Sequence, residues 1–91
     1  MNGYKIMSEA YKNAAEEGKI TQEEATKRIR IYDFLATCDH EDKQILYSSS
    51  AFNDFIRSDI SISIDELEEE GILTNKQAHT VRNRLYSNLF D

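Results

Sequence analysis

Asp39-His40-Glu41-Asp42 places one imidazole among three carboxylates, a donor set able to ligate a divalent metal or to move protons. Consecutive side chains on a helix point in different directions, so these four do not converge on one ion. Carboxylates at a helix start are favoured anyway by the positive end of its dipole. A second pattern sets Asp59, Ser61, Ser63, Asp65 and Glu70 at the ligand positions of a calcium-binding loop. Ile64 stands where that loop needs glycine, and Glu66 stands where it packs an aliphatic residue. Neither pattern predicts a metal site.

Nucleophiles fare no better. Cys38 is the only cysteine, which excludes an intrachain disulfide and a four-cysteine zinc site. With His40 and His79 as the only histidines, a Cys2His2 site is excluded too. Cys38 ends the most apolar helical stretch, where a thiol acts as packing. Ser48-Ser49-Ser50 has no histidine base beside it, and the glycines at 3, 18 and 71 are too scattered for a phosphate loop. The expectation is a protein that is not an enzyme and carries no cofactor.

Charge is the more informative chemistry. The chain has 91 residues, 11 Lys plus Arg and 17 Asp plus Glu, and a net charge of −6. Residues 1–38 balance, residues 39–71 hold ten acidic groups against two basic ones, and residues 72–91 hold three basic groups against one acidic. Asp59, Asp65, Glu66, Glu68, Glu69 and Glu70 form a candidate acidic contact surface for a partner protein, with Glu66, Glu69 and Glu70 on one helix face. Closely spaced negative charge imitates nucleic acid, so a basic nucleic-acid-binding enzyme is one expected partner. Lys76, His79, Arg82 and Arg84 make the last helix the alternative, a helix-turn-helix regulator touching DNA. The acidic run before that helix would repel the backbone it must cross. A structural homodimer is a further alternative, because so small a domain gains by burying exposed Tyr and Phe in self-association.

The elements that must position these residues are helical. The chain has no proline and three glycines, and it is short enough to form one domain over 1–91. Tyr4, Met7, Tyr11 and Ala14 line one face of a first helix, with Asn2 as its cap and Gly18 as its stop. Thr21 and Glu24 predict a capping box for a second helix to about Cys38, whose second half is apolar on nearly every side and is expected at the centre of the core. Asp39 caps a short third helix, and Ser50 caps a fourth through Phe52, Phe55 and Ile56. Ile60, Ile62 and Ile64 alternate with polar residues, which predicts an extended connector. Ser63 and Glu66 predict another capping box, with Ile62 and Leu67 as its staple. Thr74 and Gln77 predict a last helix with core stripe Ala78, Val81, Leu85 and Leu89, flanked by Tyr86 and Phe90. Glu16-Glu17-Gly18-Lys19-Ile20-Thr21 and Glu69-Glu70-Gly71-Ile72-Leu73-Thr74 echo each other, so a tight αα-hairpin is encoded twice. The expected fold is an all-α bundle of about five helices built around two hairpins.

Gly3-Tyr4-Lys5-Ile6-Met7, Glu16-Glu17-Gly18-Lys19-Ile20, the stretch from Ile31 to Asp39 and Ser49-Ser50-Ala51-Phe52-Asn53-Asp54 resemble small uncharacterised α-helical proteins of Firmicutes phages and mobile elements. The likeness covers residues 3–56. It implies a mobile-element setting, in which small acidic proteins, anti-CRISPR inhibitors among them, often inhibit or adapt a host protein. The opening residues carry no apolar leader and no apolar run reaches membrane length, so a bacterial cytoplasm and no membrane partner are expected.

Overall fold

A computed structural model describes residues 3–87. Five helices follow one another among them: α1 (Gly3–Glu16), α2 (Gln22–Thr37), α3 (His40–Tyr47), α4 (Ser50–Glu69) and α5 (Asn75–Ser87). The all-α bundle is as expected, and so are its hairpins, α1 with α2 and α4 with α5. No helix among the described residues is long and apolar enough to cross a membrane. The expected Asn2 cap and the Tyr86, Leu89 and Phe90 side chains lie outside what is described.

The echoed turns have one geometry. The Lys19 amide donates to the Ala14 carbonyl at 2.9 Å and Gly18 to Ala15 at 3.1 Å; Ile72 donates to Leu67 at 2.9 Å and Gly71 to Glu68 at 3.1 Å. Each is a six-to-one bond enclosing a five-to-two bond, the Schellman ending of a helix. It needs a left-handed residue, and Gly18 and Gly71 take φ of 69° and 77°. The returning helices are capped locally. Thr21 Oγ1 accepts from the Glu24 amide at 3.2 Å, while the Glu24 carboxylate turns to Arg28 instead of closing the box. Thr74 and Gln77 close theirs in both directions, at 3.1 and 2.9 Å. Asp39 caps α3 through the Asp42 amide at 2.8 Å.

Three expectations are corrected. The first concerns the central helix. It is α1, which buries Tyr4, Met7, Ser8, Ala10, Tyr11 and Ala14 and packs against α2, α4 and α5. By contrast α2 buries only Ala25, Tyr32 and Leu35 and turns Phe34 outward. Small residues such as Ala10 and Ala14 let neighbours approach α1 closely on several sides, which bulky Ile and Phe on α2 do not. The second concerns residues 60–64, which are not extended. They lie inside α4, a continuous 20-residue helix. Ile60 and Ile64 are two apart in an alternating pattern but also four apart, one helical turn. With Ile56 and Leu67 they form a fully buried stripe, whereas Ile62 falls on the outer face and is 56% exposed. Ser63 is therefore no cap, and Ile62 and Leu67 no staple. The third is a shift of one residue: Ser49, not Ser50, caps α4, accepting from the Phe52 amide at 3.3 Å.

Candidate functional site

Charged and aromatic side chains meet where α1, α2 and α4 converge. Arg28 lies on the inward stripe of α2 with Ala25, Tyr32 and Leu35. Its guanidinium donates to Asp59 Oδ1 on α4 at 2.7 Å, and the two side chains are 14% and 15% exposed. It also donates to Ser63 Oγ and pairs with Glu24 at 3.3 Å. The Tyr32 hydroxyl donates to Asp59 Oδ2 at 2.7 Å, with Ser63 Oγ 3.1 Å away. Tyr11 donates to Glu66 Oε1 at 2.9 Å, and its ring lies 5.7 Å below the Arg28 guanidinium carbon. Tyr32 stacks between Tyr11 and Tyr4, with ring centroids 6.3 and 6.2 Å away. Tyr4 shares a hydrogen bond with Tyr47, and buried Lys43 lies 5.8 Å over its ring.

Burial dominates the titration of this seam. Desolvation pushes the Tyr4, Tyr11 and Tyr32 hydroxyls well above the ordinary tyrosine range and raises that of Tyr47, which keeps them neutral. Burial pulls Arg28 towards losing its proton, but its polar partners, the Asp59 and Glu24 carboxylates among them, together outweigh that and raise it. No described buried side-chain nitrogen or oxygen lacks a hydrogen-bond partner. Such a closed network orients helices and leaves no group over for an external ligand.

The candidate acidic surface is largely consumed by the fold. Asp59 is drawn into the seam and Glu66 holds Tyr11. Asp65 and Glu68 take Arg82 of α5 at 2.5 and 3.6 Å, and Glu68 also accepts from Asn75 at 2.8 Å. Glu69 and Glu70 remain, Glu69 exposed and Glu70 half-buried. The candidate basic helix is likewise divided. Arg82 faces α4, His79 lies 3.3 Å from Asn83, and Lys76 borders a groove floored by Ile6, Leu73 and Val81. Arg82 and Arg84, two residues apart, point to nearly opposite sides of α5. The acidic and basic candidates thus partly neutralise each other across one hairpin.

Of the calcium-loop positions, Asp59, Ser61, Ser63 and Asp65 alternate between nearly opposite sides of α4, which cannot wrap an ion. Among the described residues no group of three His, Cys, Asp or Glu is placed to hold a metal. His40 sits 3.1 Å from Gln44 on the outside of α3.

An apolar corner went unread in the sequence. Phe34 on α2 and Ile45 on α3 are 56% and 66% exposed, and with Cys38, Leu46 and Asp42 they line one open groove. Asp39 and Glu41 stand exposed at the same end of α3. The Cys38 thiol at the groove is pushed up by partial burial and then by Asp42, so it is a poor nucleophile. The available signal was Lys43 and Tyr47, spaced to share the inner face of α3, which forces Ile45 outward. Comparison with protein-family models, curated proteins and solved structures gave no match.

Proposed function

We propose that this chain is a non-catalytic protein-binding module whose contact face is the corner between α2 and α3. The observation that carries this reading is the pairing of Phe34 with Ile45 across a single groove, both more than half exposed. Lone exposed apolar residues are ordinary, but a cluster on one depression marks a contact site. The six acidic candidates from Asp59 to Glu70 move to a secondary role, because of those six only Glu69 and Glu70 remain without a side-chain partner among the described residues. The sequence resemblance would place the partner in a bacterial host and make the module an inhibitor or adaptor of a host protein.

The test compares capture from bacterial lysate by the wild-type chain and by a Phe34→Ala, Ile45→Ala variant. A bound protein lost in the variant supports the reading, and an unchanged set of bound proteins refutes it. Co-purified DNA lost on Arg84→Ala would favour the regulator instead.

A further inference from the structure

Resting on that reading of the α2–α3 corner, we infer that its occupant is an amphipathic helix with a basic end, an aliphatic side chain of which sits between Phe34 and Ile45. Three observations converge on this. The groove is short and apolar, lined by Phe34, Cys38, Ile45 and Leu46, which suits anchors spaced three or four residues apart on a helix. Its rim is negative on the α3 side, where Asp42 lines the groove and Asp39 and Glu41 stand exposed on the same turn. Lys43, the cation nearest in sequence, is buried against Tyr4. The Cys38 thiol senses the same field, since after burial the carboxylate of Asp42 is the next cause of its raised pKa, ahead of the opposing Lys43. On the α2 side the lining residues, Phe34 and Cys38, bring no charged group to the groove. The two ends of the groove therefore differ, and the cationic end of the guest lies toward α3. The dipole of α3 offsets only about half a charge at that end, so most of the charge of the three carboxylates remains.

Cys38 provides the measurement, because it lines the groove and the chain has no other cysteine. Alkylation of Cys38 by iodoacetamide is followed in the full chain with a leucine–lysine amphipathic helical peptide, with its leucine–glutamate counterpart, and with neither. The expected result is protection by the basic peptide alone. That protection should weaken with salt, fall roughly tenfold in apparent affinity on Ile45→Ala, and fall severalfold on Glu41→Gln with Asp42→Asn. Circular dichroism is the check that each variant is folded. Equal protection by both peptides, or none by either, overturns the basic-helix inference but leaves the docking reading to the lysate comparison. Capture from lysate that ignores Ile45→Ala overturns the reading itself. A dimer in light scattering that Ile45→Ala disperses also overturns the inference, naming a second copy as the occupant.

Discussion

The seam between α1, α2 and α4 and the corner between α2 and α3 invert the usual partition of polar and apolar residues. In the seam a guanidinium, two carboxylates, a serine and two tyrosines are largely withdrawn from water and satisfy one another. In the corner a phenylalanine and an isoleucine stand in water. A buried ion pair is held only where its geometry is good, so the seam fixes how α2 sits against α4. Exposed apolar area adds nothing to folding, and this is why the contact face is proposed there. The same helix, α2, supplies both from different faces.

The sharpest way to break the seam is alkali. The folded state favours neutral Tyr4, Tyr11, Tyr32 and Tyr47, whose hydroxyls are raised above the unfolded value of 10.0. Stability is therefore intact below pH 10 and falls as pH rises above it, by about 1.4 kcal/mol per tyrosine for each unit. Tyr4, Tyr11 and Tyr32, whose shifts are large, together reach about 4 kcal/mol near pH 11, a large share of the stability of so small a domain. Tyrosinate absorbance and helical circular dichroism should change together in one alkaline transition. Ionisation of these tyrosines with the helices intact would contradict it.

Removing Arg28 alone comes next. Arg28→Ala leaves Asp59 part-buried without its cation and is expected to cost about 3 kcal/mol in urea melts. The paired change Arg28→Met with Asp59→Leu should recover most of that loss. A double variant as weak as the single would mean that the charges themselves hold the seam.

The two regions separate most cleanly on one residue type. Ile60→Ala opens a cavity in the buried stripe of α4 and should cost about 3 kcal/mol. Ile45→Ala at the corner should move stability by no more than about 0.5 kcal/mol. A large loss at Ile45 would show that the corner belongs to the core. Smallest in spread are the two turns. Gly18→Ala and Gly71→Ala both force a side chain into positive φ, and each should cost about 1 kcal/mol, equally in both hairpins.

Much of the frame was legible because its causes are local. A threonine oxygen and an amide three residues later, or a glycine at positive φ, need nothing beyond one turn of chain. Thr21, Asp39, Thr74, Gly18 and Gly71 could thus be placed from spacing alone. The run from Ile60 to Ile64 was misread because an interval of four residues satisfies a strand and a helix equally. Only burial on α1 and α5 chooses between them. The central place given to α2 failed because apolar composition does not say how many neighbours a helix has.

The sequence by itself determined an all-α frame, the caps at Thr21, Asp39 and Thr74, the two tight hairpins and the uneven distribution of charge. Those follow from backbone hydrogen bonding and side-chain periodicity within a few residues. Only the tertiary structure decided which charges survive at the surface. Arg28 finds Asp59 across 31 residues and Tyr11 finds Glu66 across 55. A charge count cannot distinguish a carboxylate facing water from one already held by a guanidinium. The acidic segment is consequently in large part scaffold, and the large apolar side chains left exposed include Phe34 and Ile45.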